Sequence, residues 1–369
     1  MKIGIDISQM AYTGTGVARY VSGMTKALLK AGSTHQFVLI AGALQQRKFF
    51  TNLANSSEYK GIEFRILPLP PKLARHLLKF PVLNPFIKDL DLLHTSDWAE
   101  PFTSCPRVTT VHDLVFHKYP ETVDKEVLQA QTTRLIRIVK SGTHIIADSQ
   151  STKNDLKEIY HLADDQIDVV YPAIDSAYCK VESNKIDQVK SKYGISGRYI
   201  LSVGTQEPRK NLTGIIEAYT DLKNDPSWQD VALVVTGKYG WGDKIAPVQG
   251  MVATGYVDEV DLPALYSGAD VFVYPSFYEG FGFPVLESIA CGTPVVTSNI
   301  SSLPELAGHA AVLVDPNDHL AIAAGITEAY KQREALIASG LERASELSWA
   351  RSAEQIIRIY EKVVANAKK

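Results

Sequence analysis

Residues 274–298 read YPSFYEGFGFPVLESIACGTPVVTS, and the order of residue types in that string decides the fold class. An apolar run ends at Tyr274. A loop of glycines and aromatics follows, then Pro284, an apolar-periodic run to Ala290, and a short β-branched run at Val295–Thr297. Proline suits the first helical turn, because its missing N–H has no intrahelical partner there. The string therefore predicts strand, loop, helix, strand. A helix start exposes unpaired N–H groups and the positive end of the dipole, which suits a phosphate. Gly280 and Gly282 let the backbone approach a ligand closely. Glu279 stands in the loop and Glu287 one turn into the helix. A carboxylate accepts hydrogen bonds only, so the pair suits sugar hydroxyls at the two ends of a nucleotide sugar.

The alternation continues outward in both directions. Strands are expected at Lys2–Ser8, Gln36–Ala41, Phe64–Leu69, Leu92–Thr95, Arg107–Val111, His144–Ala147 and Asp168–Tyr171. They resume at Tyr199–Val203, Ala232–Thr236, Val252–Tyr256, Val271–Tyr274, Val295–Thr297 and Ala311–Val314. Helical patterns such as Val17–Lys30, Asp124–Lys140, Leu212–Leu222 and His319–Gln332 lie between them. Such alternation implies α/β architecture with parallel sheets covered on both faces. Pro172–Gly197 interrupts the pattern. With 369 residues, the chain exceeds the roughly 250–300 at which single cores split. The expected organisation is residues 1–180, residues 181–348, and a terminal amphipathic helix, 349–369, packing back on the first domain. Its apolar stripe is Ala353, Ile356, Ile357, Tyr360 and Val364. Two Rossmann-like domains would face each other across a cleft, with ligand at the carboxyl ends of the strands.

Three further motifs sit at strand ends. GTQEPRKN (204–211) follows the first strand of the second domain. It places Arg209 and Lys210 at a helix start, where cations are disfavoured unless an anion is close. They would neutralise a diphosphate and the charge that grows on it as a glycosidic bond breaks. GTGVARY (14–20) is a glycine-rich turn leading into a helix. By itself it reads equally as a packing turn or a phosphate loop. VHDL (111–114) puts His112 at a strand's carboxyl end, with Asp113 beside it to orient the ring.

Together these strings resemble the group 1, or family four, retaining glycosyltransferases of the GT-B fold, most of all bacterial mannosyltransferases. YPSFYEGFGFPVLESIACGTPVVTS resembles the family's E-x7-E signature and GTQEPRKN its G-x-x-x-x-R-K-N segment; NISSLPELAG (299–308) continues the match. The resemblance implies that Glu279 contacts the transferred sugar, Glu287 the ribose, and Arg209 and Lys210 the diphosphate. It also implies that His112 touches the transferred sugar. Gly14, Gly16, Gly204, Gly280, Phe281, Gly282 and Phe283 would line the donor. The catalytic set implied is His112, Glu279, Arg209 and Lys210. The expected donor is GDP-mannose, with UDP-glucose and UDP-N-acetylglucosamine open, and the acceptor a glycan or lipid-linked sugar. No cofactor and no metal are expected.

Other enzyme and binding classes fit the same residues less well. A glycoside hydrolase would use two carboxylates but has no use for Arg209 and Lys210. A nucleotide-sugar epimerase would share the fold and need no acceptor. A binding protein that has lost activity would be expected to lack one of these residues. Asp89-Leu90-Asp91 reads as solvated residues before a strand rather than a metal-binding D-x-D. The formal net charge of −3 gives no reason to expect nucleic acid. Three scattered cysteines, Cys105, Cys179 and Cys291, form no C-x-x-C pair, which argues against zinc and for a reducing compartment. Asp6 breaks the apolar start too early for a signal peptide. The expected location is the cytoplasm, including the inner face of the membrane, with Lys72–Lys88 reading as a packed surface segment or a membrane-surface element.

Overall fold

The computed structural model describes residues 1–31, 34–42, 46–67, 87–96, 100–101, 103–242 and 246–368. They fall into two compact units, Met1–Ala173 with Trp349–Lys369, and Ile174–Ser348. Residues 72–86 of the basic, apolar Lys72–Lys88 segment lie outside the described residues.

The first unit holds β1 (Lys2–Asp6), β2 (Gln36–Gly42), β3 (Glu63–Leu67), β4 (Leu92–Ser96), β5 (Arg107–Val111), β6 (His144–Ala147) and β7 (Ile167–Val169). They form one parallel sheet in the order β3-β2-β1-β4-β5-β6-β7. β1 stops at Asp6, two residues before the expected Ser8. The Asp6 carboxylate accepts from the Ser8 N–H at 2.9 Å and from its hydroxyl at 2.5 Å, a local turn that competes with the ladder. Asp89 pairs with Lys2 and Arg65, and the Lys2 N–H donates to Asp91. Asp89 is thus tied to the sheet's own cations and Asp91 to its backbone.

The second unit holds β8 (Tyr199–Val203), β9 (Ala232–Thr236), β10 (Met251–Gly255), β11 (Val271–Tyr274), β12 (Val295–Ser298) and β13 (Ala311–Val314). Their order is β10-β9-β8-β11-β12-β13, again all parallel. Its core is continuous from Ile215, Ala218 and Tyr219, through Leu233 and Val235 in β9, to Ile322 and Ile326. In each unit the strand order reverses beside the first strand, between β1 and β4 and between β8 and β11. In open α/β sheets, loops leaving the strands diverge at such a reversal, and ligands bind outside the carboxyl ends there.

The terminal helix, Trp349–Ala367, belongs to the first unit. It buries Ala353, Ile356, Ile359, Tyr360 and Val364, with Ile357 only half-buried. Trp349 lies against Gly23 so closely that a Cβ there would come within 2.3 Å of the indole. Ser352 donates to the Tyr171 carbonyl at 2.7 Å, and Lys362 pairs with Asp168 at 3.0 Å. No helix of the described residues is long and apolar enough to cross a membrane.

Candidate functional site

In the second unit the reversal of strand order brings together two motifs almost seventy residues apart. β8 delivers Gly204–Asn211 and β11 delivers Pro275–Gly282. Arg209 and Lys210 were expected at a helix start. They instead end a short 3-10 turn, Pro208–Lys210, and the helix Leu212–Leu222 begins only after Asn211. Proline opens that turn, and Asn211 closes it in the left-handed region at φ 56°. The Asn211 side chain caps the helix through Gly214 N–H and donates to the carbonyls of Pro275 and Pro316. One amide therefore clamps the β8 loop to the end of β11.

The clamp places two cations on one carboxylate. Lys210 Nζ lies 2.5 Å from Glu279 Oε1, and Arg209 Nη1 lies 2.7 Å from Glu279 Oε2. Arg209 Nη2 also pairs with Glu207 at 2.7 Å, and Nη1 donates to the Tyr278 carbonyl. Lys210 donates to the Tyr274 hydroxyl, which in turn donates to Glu279 Oε1 at 2.9 Å. Burial alone would push the Glu279 carboxyl up. Arg209 and Lys210 outweigh it and hold Glu279 at about 2. Burial, with Arg209 beside it, lowers Lys210 from the ordinary lysine value. Glu279 is thus an anion and the cluster a compact, charge-balanced set.

Ser301 and Ser302 hold the loop from the other side. Both hydroxyls donate to the Glu279 carbonyl, at 2.7 and 2.8 Å, and Ser301 Oγ accepts from the Glu279 N–H. Ser301 itself takes φ 62°, a strained conformation for a residue with a Cβ. Gly282, at φ 105°, precedes the helix Phe283–Ala290, and a Cβ there would meet Leu303 at 2.8 Å. Phe281 is buried with its ring edge-on to Phe283. Gly204 sits where a Cβ would touch Lys210 and Tyr274. Glu287 lies on the helix Phe283–Ala290. It is 1% exposed and accepts from the Tyr266 hydroxyl at 2.9 Å.

His112 belongs to the first unit. It follows β5, and its ring nitrogens face Asp148 Oδ2 at 2.6 Å and Ser96 Oγ at 2.9 Å. The carboxylate against the ring is therefore Asp148 and not Asp113. Asp113 faces the chain ahead of it and accepts from the Val115 N–H at 3.0 Å. Gly14, at φ 86°, and Gly16 frame the start of helix Gly16–Lys30, capped by Thr15. Gly14 has open space where a Cβ would stand. Tyr20 on that helix packs edge-on to His112 at 4.8 Å. Asp148, Ser96, Glu207 and Tyr274 were missed as site residues. Their signal was position: each stands at or just past the end of an apolar strand, as His112 does, apart from Glu207 in its loop.

Family comparison supplies the context for this geometry. Residues 185–343 match the model of "Glycosyl transferases group 1", and residues 14–178 that of "Glycosyltransferase Family 4". The O-antigen chain mannosyltransferase B of Escherichia coli is 31% identical over 98% of this chain and 99% of its own length. The serotype-specific mannosyltransferase WbdA of Escherichia coli is 29% identical over 70% of this chain and 34% of its own length. In fold, a glycosyltransferase from Rickettsia africae ESF-5 superposes with a TM-score of 0.74 at 18% identity, covering 99% of both chains.

Proposed function

The chain belongs to the group 1, family four glycosyltransferases, and on that premise we propose that it moves mannose from GDP-mannose to a glycan or lipid-linked acceptor, with retention of anomeric configuration. The observation that carries this reading is the pairing of Arg209 and Lys210 on Glu279 at the reversal point of the second sheet. Two cations held rigidly there meet the diphosphate as it leaves. Fixed charges cost no reorganisation when negative charge develops, so they stabilise the transition state more than the bound donor. Glu279 keeps both cations in place and offers its remaining lone pairs to sugar hydroxyls. Glu287, with Tyr266, serves the ribose.

Arg209 and Lys210 supply at the diphosphate the charge that a divalent ion supplies in other transferases, so transfer is metal-independent on this reading. The acceptor attacks from the face the diphosphate leaves, and the departing phosphate takes its proton. Mannose rests on the full-length likeness to O-antigen chain mannosyltransferase B. A cytoplasmic enzyme working at the inner face of the membrane fits a lipid-linked acceptor.

Calorimetric titration with GDP and UDP tests the nucleotide, and proton NMR of the product tests the stereochemistry. GDP should bind more tightly, and the product should carry the α linkage. Preferential binding of UDP, or an inverted anomer, would end this reading.

A further inference from the structure

The first unit carries an arrangement around His112 that the donor reading does not use. β5 and β6 are parallel neighbours with Val111 opposite Ala147. The next residue on each strand is therefore delivered at the same level, His112 from one and Asp148 from the other. Ser96 ends β4, on the other side of β5. The imidazole is bracketed by these two side chains, with Asp148 at Nδ1 and Ser96 at Nε2. The His112 carbonyl accepts from Thr152 Oγ1 at 3.3 Å.

We propose that Asp148 fixes the tautomer of the His112 ring and that Asp148 and Ser96 together set its direction, so that Nε2 accepts a hydrogen bond from Ser96 until a hydroxyl of the transferred sugar replaces it. The inference rests on the reading of His112 as a donor-sugar contact. An ionised carboxylate is an acceptor only, so the hydrogen between Asp148 and the ring sits on Nδ1. In the neutral ring Nε2 then bears the lone pair, and the Ser96 hydroxyl donates to it. A sugar hydroxyl takes that place by the same chemistry.

Two observations separate this from simple packing. Asp148 is 2% exposed, and its second oxygen, Oδ1, is buried with no hydrogen-bond partner among the described residues. Leaving a buried carboxylate oxygen unpaired is costly, so its retention here calls for a reason beyond packing. Behind the ring a second buried set holds the other wall. His94 lies 2.5 Å from the Tyr360 hydroxyl and 2.8 Å from Thr110 Oγ1, and Thr110 meets the Tyr20 hydroxyl at 3.1 Å. Burial keeps His94 at about 3, so it is neutral and brings no second cation to His112. Tyr360 and Trp349, which packs on Tyr20, tie the terminal helix into the same wall.

The test combines selective 15N-histidine NMR with kinetics. In the wild-type protein the His112 signals, assigned by their loss in His112→Ala, should show the Nδ1–H tautomer. An Nε2–H tautomer would overturn the proposal without any change at Asp148. Asp148→Asn offers an amide N–H to Nδ1 and should switch the ring to Nε2–H. Turnover should then fall about 10–100-fold, the size seen when the group that orients a metal-bound imidazole is removed, with GDP affinity and thermal midpoint unchanged. Ser96→Ala should keep the tautomer and cost only a few-fold. In a His112→Ala background, Asp148→Asn should have no further effect; an additive loss would show that Asp148 acts elsewhere and overturn the proposal. Full activity of His112→Ala would defeat the underlying sugar contact, a result distinct from any tautomer reading.

Discussion

Lys210 Nζ and Glu279 Oε1 are 2.5 Å apart although sixty-nine residues separate them in the chain. That contact joins the loop after β8 to the loop after β11. Arg209 bonds the other oxygen of the same carboxylate. The strand ends at the reversal of the second sheet are thus organised around one buried anion, and its consequences can be measured.

Lys210→Ala removes the ammonium that pairs with Glu279 and that, on the proposed reading, meets the leaving diphosphate. Turnover should fall about 10²–10³-fold, as for loss of one preorganised electrostatic contact. The variant should remain folded, because Arg209 still pairs with Glu279. Steady-state kinetics beside circular dichroism checks both halves. Unchanged turnover in a folded variant contradicts the role given to Lys210.

Glu279 ties this cluster to pH. Its carboxyl stands at about 2 in the folded protein, against an ordinary value of 4.5. A depressed acid contributes stability that is fully present above the ordinary value. That stability is lost as pH falls through about 4.5 toward about 2. Lys210 moves the opposite way: its value is lowered from 10.5, so it discharges at lower pH than a free lysine. Activity should therefore decline on the alkaline side below pH 10.5, and Lys210→Arg, whose charge does not titrate there, should remove that decline. Denaturant melts across acid pH and a pH–rate profile measure the two effects. A stability unchanged between about pH 5 and about pH 2.5 would contradict the first.

Gly23 and Trp349 give a packing test. Gly23→Ala places a methyl where the indole now stands. Overpacking of this kind typically costs about 1–3 kcal/mol. The expected result is a lower denaturation midpoint for Gly23→Ala, and none for the double variant Gly23→Ala with Trp349→Phe relative to Trp349→Phe alone. Equal midpoints for wild type and Gly23→Ala would show that the terminal helix is not held there.

EDTA should leave transfer intact. On the proposed reading Arg209 and Lys210 carry the diphosphate charge. Loss of activity on chelation, restored by magnesium or manganese, would show that a divalent ion shares that work.

The fold was legible because short continuous apolar runs, as strands buried on both faces read, alternate with period-3.6 helical patterns along almost the whole chain. The errors are local. β1 ended early because the Asp6 side chain bonds its own backbone neighbour, which an apolar pattern does not register. Arg209 and Lys210 left the helix because Asn211 adopts a left-handed turn. The site was legible where a motif is contiguous, as in Glu279 to Glu287. It was not where strand register creates the neighbour. Asp113 adjoins His112 in sequence, but β5 and β6 set Asp148 beside it, and only the register reveals that pair.

The central claim is transfer of mannose from a guanosine diphosphate donor held by Arg209, Lys210 and Glu279. The direct measurement is GDP release from GDP-mannose with and without a mannose-terminated, lipid-linked acceptor, followed beside the same assay with UDP-glucose. The account predicts GDP release that requires the acceptor, incorporation of mannose into it, and loss of both in Lys210→Ala. Release from UDP-glucose alone, with GDP-mannose left intact, would contradict it.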